Sequence, residues 1–158
     1  MRYVRQEQQG ANAARNRGLE ESRGEFIQFL DSDDLLLPDK LSDQVAVMQT
    51  EPQVEYVFSP FGTLEGDRLK DWWPEDFRPD RDRLLDGMVR FGNLPLWTVN
   101  GLYRRSICRR IGPWETRWQI HDRLYNAKLL VLEAPYRYIP TMHALMRRHE
   151  RERWTGHT

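Results

Sequence analysis

The stretch FIQFLDSDDLLLPDKL, residues 26–41, decides the fold. Its apolar run Phe26–Leu30 is too short for a helix and rich in strand-forming residues, so it predicts a buried strand. The acidic segment DSDD (31–34) interrupts that run, and a second apolar run begins at Leu35. In an α/β sheet, side chains at the carboxyl end of a strand face the crevice that binds ligands. The stretch therefore predicts a buried strand that ends in a binding site.

Three carboxylates within four residues indicate a cation or a helix cap. Two carboxylates separated by one residue, Asp31 and Asp33, suit Mg²⁺ or Mn²⁺, which prefer oxygen ligands. Such an ion binds phosphate oxygens and offsets their charge. The alternative is an N-cap, in which one Asp accepts hydrogen bonds from free N–H groups of the following helix. One carboxylate suffices for a cap, and three repel one another without a cation, but the spacing alone leaves both interpretations open.

Strand and helix patterns alternate along the rest of the chain. Strands are predicted at RYVRQ (2–6), VEYVFSPFGTL (54–64), LWTVNGLYRR (96–105) and YRYIP (136–140), and an extended segment opens at Met142. Helices are predicted over 10–24, 37–52, 83–91 and 118–134, with a helical turn at 106–112. The charged segment 65–82 reads as a loop because it is polar and holds two prolines. This alternation predicts an α/β fold with a sheet flanked by helices.

Composition bounds the class of protein. The 158 residues suit one domain, and the formal net charge of zero argues against a general nucleic-acid binder. The single Cys108 forms no intrachain disulfide. No run approaches the ~18 apolar residues of a membrane span, and residues 1–18 lack the apolar region of a signal peptide. We expect a cytoplasmic protein without nucleic-acid partners or membrane spans, at most peripheral to the inner face of the membrane.

The order of motifs resembles the family 2 glycosyltransferases, which have the GT-A fold. The resemblance is carried by GANAARNRG (10–18), by GEFIQFLDSDD (24–34) and by the proline-initiated helix that follows. It continues more loosely through VNGLYRRSICRRIGPWE (99–115), HDRLYNAKLL (121–130) and the ending YRYIPTMHALMRRHERERWT (136–155). The resemblance implies a GT-A-like mixed sheet and transfer of a sugar from a nucleotide-sugar donor, most often a UDP-sugar, to an acceptor hydroxyl with inversion.

The resemblance also implies roles for the acidic segment. Asp33 would be the main ligand of Mn²⁺ or Mg²⁺ and would bridge to the diphosphate. Asp31 would face the ribose or the water shell of the metal, and Asp34 would be a further ligand or the N-cap of the next helix. Arg15 and Asn16 would lie against the nucleotide, although Arg15 also suits a solvated helix face.

The catalytic base is expected near residue 121. Inverting transfer needs a carboxylate that takes the proton of the acceptor hydroxyl. Asp122 aligns with the second residue of the Glu-Asp pair of the family, and His121 stands in place of the Glu. His121 is itself a candidate base because its unperturbed pKa is ~6.5, but both residues also suit the opening of a helix. His149 is a candidate third metal ligand or phosphate contact, although a lone His is more often structural.

The chain matches the family from its middle onward, since related enzymes open with a strand, a helix and a second strand before the segment 2–6. We therefore expect an N-terminally truncated domain with three parts: a nucleotide and metal part (1–62), a charged loop with a short helix (63–94) and an acceptor side (95–158). Without the two strands, the strand that leads to Asp31 has an open edge, which invites pairing with a second copy of the chain. Weak donor binding and low or no transfer are also expected.

Two other functions stay open. One is a catalytically weak or inactive relative that acts as a binding or oligomerisation module through its open edge or its tryptophans. These are Trp72, Trp73, Trp97, Trp114, Trp118 and Trp154. The other is a metal-dependent phosphatase or nucleotidyltransferase that uses the same carboxylates. For a transferase, the acceptor expected from the family is a glycan or a lipid-linked group in the synthesis of cell-surface polysaccharide.

Overall fold

The computed structural model describes residues 2–71, 79–91, 96–117 and 121–148. The helices within these ranges are α1 (Ala11–Glu21), α2 (Lys40–Thr50), α3 (Arg81–Phe91), α4 (Arg105–Ile111) and α5 (His121–Val131). The strands are β1 (Phe26–Ile27), β2 (Leu35–Leu36), β3 (Tyr56–Phe58), β4 (Phe61–Glu65), β5 (Arg68–Asp71), β6 (Gly101–Arg104), β7 (Tyr136–Tyr138) and β8 (Ala144–Arg148). None of the described helices is both long and apolar enough to cross a bilayer.

The strands form two mixed sheets where the sequence predicted one. The first has the order β1-β6-β3-β7 and the second the order β2-β8-β4-β5. The pairs β3–β7 and β4–β8 are parallel, and the other pairs are antiparallel. The predicted strand 54–64 divides at Ser59 and Pro60, because Pro lacks the N–H that a continuing ladder needs. The chain thus passes from the first sheet to the second between β3 and β4.

The main core lies around the first sheet. Tyr56, Val57 and Phe58 of the central strand β3 are all fully buried, as expected for a strand with packing on both faces. Aromatic rings dominate this core: Phe58 packs against Tyr136 and Tyr138 with ring centroids 5.7 and 5.3 Å apart. A smaller core of Phe61, Val99 and Ala144 belongs to the second sheet.

Two sequence predictions about the strands are wrong. Residues 2–10 form no strand, and Tyr3 is 84% exposed. A strand needs a neighbour for its backbone groups, and this segment instead contacts α1 through an ion pair of 2.7 Å between Arg2 and Glu21. The start of the predicted charged loop forms β5, which pairs with β4 across a turn at Gly66 with φ 57°. A residue with positive φ suits such a turn, and Gly adopts it without strain.

Candidate functional site

The acidic segment directly follows the apolar run of residues 26–30, which begins with β1. Ile27 and Phe29 are buried, and Asp31 follows them at the same two-residue spacing, so it continues the same face of the extended chain. The N–H of Asp34 then donates to the carbonyl oxygen of Asp31 at 3.2 Å and closes a turn. We call residues 31–34 the acidic turn. The acidic turn begins four residues beyond the end of β1 at Ile27.

Arg15 on α1 holds Asp31 through both carboxylate oxygens. One guanidinium nitrogen, Nη2, lies 2.7 Å from Oδ1 and 2.7 Å from Oδ2 of Asp31. Nη1 donates to Oδ1 of Asn12 at 2.9 Å. The Arg15 side chain is 10% exposed and the Asp31 side chain 38% exposed, so the pair is partly shielded from water. Arg15 is therefore a partner of the acidic turn rather than a solvated helix charge.

The face of α1 that carries Arg15 also binds the segment before α5. Nδ2 of Asn16 donates to the Trp114 carbonyl at 2.9 Å, and Oδ1 of Asn16 accepts from the Trp114 N–H at 2.7 Å. Nδ2 of Asn12, one turn earlier, donates to the Glu115 carbonyl at 2.5 Å. Both polar atoms of the Asn16 side-chain amide thus bind the backbone of Trp114. The predicted contact of Asn16 with a nucleotide stays a prediction.

The other carboxylates of the acidic turn differ in surroundings. Asp33 is half-buried and lines a groove of about 740 Å³ together with Asp31, Arg15 and residues of α1 and β1. Oδ1 of Asp34 accepts from the backbone N–H of Arg147 at 3.2 Å and so ties the turn to β8. Asp34 is not the N-cap of the next helix, because α2 begins at Lys40 after Asp39, which makes no side-chain cap.

The first residues of α5 are the candidate bases. The backbone of His121 and Asp122 opens the helix, as predicted. Tyr125, one turn later, stacks on Trp114 with ring centroids 3.8 Å apart and an angle of 1° between the planes. This stack joins the helix of the candidate bases to the segment held by α1. The candidate ligand His149 lies outside the described residues.

A buried polar cluster behind the acidic turn was missed by the sequence analysis. Lys40 is fully buried, and its Nζ donates to Oε1 of Gln28 at 2.5 Å and to Oε1 of Gln44 at 2.6 Å. Nε2 of Gln44 donates in turn to Oγ of Ser59 at 3.2 Å and to the Asn100 carbonyl at 3.1 Å. Burial lowers the pKa of Lys40 to about 7.

The sequence carried one signal for this cluster. Gln28 is a polar residue within the apolar run of residues 26–30. Lys40 and Gln44 stand four residues apart on α2, which places them on one helix face. A lysine near a helix start is usually solvated, so the pattern alone did not indicate burial.

Within the described ranges, no group of three His, Cys, Asp or Glu side chains is arranged to hold a metal ion. The acidic turn still fits Mg²⁺ or Mn²⁺ in one mode, because such ions often take one or two protein carboxylates and complete their shell with water and substrate phosphate oxygens. Asp33, half-buried on the groove, is the candidate ligand for this kind of binding.

Known proteins with similar sequences are glycosyltransferases. The sequence model described as Glycosyl transferase family 2 matches residues 1–112. A putative glycosyltransferase, EpsH of Bacillus subtilis (strain 168), is 33% identical over 112 residues, which are 67% of this chain and 31% of that protein. An uncharacterised glycosyltransferase of Haemophilus influenzae is 44% identical over 63 residues, 39% of this chain and 25% of that protein. The chain thus spans about a third or less of the length of these relatives.

Solved structures agree on the fold. The crystal structure of S. aureus TarS 1–349 in complex with UDP-GlcNAc matches with a TM-score of 0.65 and 18% identity, covering 90% of this chain and 40% of that one. A second structure of S. aureus TarS matches with a TM-score of 0.64. The fold of the described residues is therefore the GT-A fold predicted from the sequence. With the match over residues 1–112, the chain belongs to glycosyl transferase family 2.

Proposed function

We propose that the chain transfers a sugar from a nucleotide-sugar donor to an acceptor hydroxyl, with inversion and with the help of a divalent cation. The observation that carries this proposal is the acidic turn beyond β1, with Asp33 on a groove of about 740 Å³ and Asp31 held by Arg15. A groove of this size suits a nucleotide. Family membership over residues 1–112 supports the reaction class.

UDP is the proposed nucleotide of the donor. The crystal structure of TarS 1–349, which has the same fold, contains UDP-GlcNAc. That likeness supports the choice of UDP as the first nucleotide to test, whereas the sugar and the acceptor stay open. A glycan or a lipid-linked group is the acceptor class expected from the family.

Asp33 would hold Mn²⁺ or Mg²⁺, and the bound ion would supply charge compensation for the departing nucleoside diphosphate. Asp31 would face the ribose or the water around the ion, while Arg15 keeps its carboxylate oriented through two contacts of 2.7 Å. Asp122, at the start of α5, would take the proton of the acceptor hydroxyl, with His121 as the alternative base.

Calorimetry of UDP binding tests the cation site. We expect UDP to bind with Mn²⁺ and not with EDTA, and Asp33→Ala to weaken that binding by about 10–100-fold, as loss of metal-site groups does elsewhere. Asp39→Ala is the matched control, because Asp39 is an exposed carboxylate six residues away. Binding of UDP that ignores both EDTA and Asp33→Ala would contradict the proposed role of Asp33.

A second copy of the chain is the proposed partner at the open edge of β1. Among the described strands, β1 pairs only with β6, and backbone groups that alternate away from β6 are free to extend the sheet. If copies pair there, Leu30→Lys should convert a dimer into a monomer, because Leu30 lies three residues beyond β1 and would place a charge beside its open edge. Light scattering after size exclusion measures the mass.

Leu69→Lys is the control for edge pairing. Leu69 is 50% exposed and Leu30 is 49% exposed, and Leu69 lies on β5 at an edge of the second sheet. A dimer that survives Leu30→Lys, or a wild-type chain that is monomeric at high concentration, would rule out this partner.

A further inference from the structure

Trp114 is buried at the junction between the two parts of the candidate site. Its side chain is 2% exposed, and its backbone is bound by Asn16 through two hydrogen bonds of 2.9 and 2.7 Å. Trp114 was one of six tryptophans considered for a binding surface, and its burial removes it from such a surface.

The two faces of the indole have different partners. The Tyr125 ring lies parallel to it at 3.8 Å and covers one face. The guanidinium carbon of Arg15 lies 4.8 Å from the centroid of the indole. Because the Tyr125 ring leaves no room on its own side, Arg15 occupies the opposite face. The indole is thus clamped between a cation of α1 and an aromatic ring of α5. The Phe29 ring packs against the indole in a T-shaped arrangement, with ring centroids 5.1 Å apart.

This clamp restricts the group that holds Asp31. A guanidinium that packs against an aromatic face loses freedom to rotate. Nη2 of the same guanidinium lies 2.7 Å from both carboxylate oxygens of Asp31. The orientation of the Asp31 carboxylate therefore depends on Trp114 through Arg15.

We propose that Trp114 is a positioning residue: its indole, clamped between Arg15 and Tyr125, fixes the guanidinium that orients Asp31 and couples the acidic turn to the helix that carries Asp122. The coupling follows from the positions of Tyr125 and Asp122, which lie three residues apart on α5. This role rests on the proposed function, since it concerns how the same site is held ready for its nucleotide.

Trp114→Leu and Trp114→Phe separate positioning from mere packing. Leu fills space but offers no aromatic face, whereas Phe keeps a face for Arg15 and for Tyr125. We expect Trp114→Leu to weaken the Mn²⁺-dependent binding of UDP about tenfold, the size of one cation–π contact in a shielded site, and Trp114→Phe to stay within about threefold. Phe58→Leu, an aromatic-to-leucine change on β3 at a ring that packs against Tyr136 and Tyr138, should lower stability and leave UDP binding unchanged.

A double-mutant cycle with Arg15→Met tests whether Trp114 acts through Arg15. The effects of residues in one chain of contacts do not add, so Trp114→Leu should cost no further affinity once Arg15→Met is present. Additive losses, or a Trp114→Leu variant with wild-type affinity, would overturn the proposal. If Trp114→Leu does not fold, Trp114→Met takes its place in the cycle with the same expectations.

A measurement without ligand keeps this proposal distinct from the proposed function. The ¹⁵N NMR signals of the Arg15 side chain, assigned by their loss in Arg15→Met, report hindered rotation of the guanidinium in the ligand-free chain. We expect separate, slowly exchanging signals in the wild type and in Trp114→Phe, and averaged signals in Trp114→Leu. Failure of the wild type to bind UDP would reject the proposed donor and metal site, whereas unchanged Arg15 signals in Trp114→Leu would reject the positioning role.

Discussion

Phe29→Ala is expected to lower the free energy of unfolding by about 3–5 kcal/mol, the range for removal of a buried aromatic ring. Phe29 is 6% exposed, and its ring meets Trp114, Tyr125 and Tyr103 at centroid distances of 5.1, 5.8 and 5.9 Å. These rings come from β6, from α5 and from the segment between α4 and α5. Because these rings also pack against other parts of the core, they have little freedom to move into the cavity that alanine creates.

Urea unfolding followed by circular dichroism measures this loss. Phe29→Leu retains most of the volume and should cost under about 1.5 kcal/mol. Leu41→Ala controls for an exposed apolar residue, since Leu41 is 45% exposed on α2, and should change stability by under about 0.5 kcal/mol. Equal losses for Phe29→Ala and Leu41→Ala would mean that the aromatic cluster does not carry the core.

Lys40→Met is expected to remove part of the pH dependence of stability. Burial lowers the pKa of Lys40 from 10.5 to about 7, so the folded state binds fewer protons than the unfolded state between those values. Stability therefore rises with pH across this window, and the full penalty of the buried charge applies below pH 7. Between pH 7 and pH 9 the wild type should gain about 2 kcal/mol from this residue, at about 1.4 kcal/mol per unit of pKa difference.

The difference between wild type and Lys40→Met isolates this contribution from the other titrating groups. Methionine leaves Oε1 of Gln28 and Oε1 of Gln44 without their donor, which costs about 1–3 kcal/mol for each buried acceptor. We expect the variant to be the less stable protein at pH 9, with a gap that narrows by about 2 kcal/mol at pH 7. Lys70→Met is the control, since the Lys70 side chain is 53% exposed. A gap that is constant with pH would show that Lys40 stays protonated throughout.

The sequence indicated most helices and the fold class because those features depend on local pattern. The periodic apolar residues of α2 and α5 and the glycines around α1 are local signals. The division of 54–64 into β3 and β4 was not predicted, because both halves carry β-forming residues and only Pro60 marks the break. The strand predicted at 2–6 failed for the opposite reason, since strand propensity has no effect without a neighbour to pair with.

The sequence predicted a location for the candidate site and not its contacts. The spacing of Asp31 and Asp33 after an apolar run indicated a crevice with carboxylates, and the groove lined by both residues agrees with that location. The contact between Arg15 and Asp31 joins residues 16 positions apart, and the burial of Lys40 depends on Gln28 and on Gln44. Such partners are chosen by the tertiary packing, which no local pattern encodes.

The two parallel pairings also set an order for folding. Tyr56 pairs with Tyr136 and Glu65 with Arg148, so both sheets are joined across separations of 80 residues or more. Closing such long loops costs entropy before any contact repays it, which slows folding. During synthesis on the ribosome, the edge of β3 that pairs with β7 and the edge of β4 that pairs with β8 stay unpaired until those later strands are made. Formation of β7 and β8, the last strands among the described residues, therefore completes the two parallel pairings.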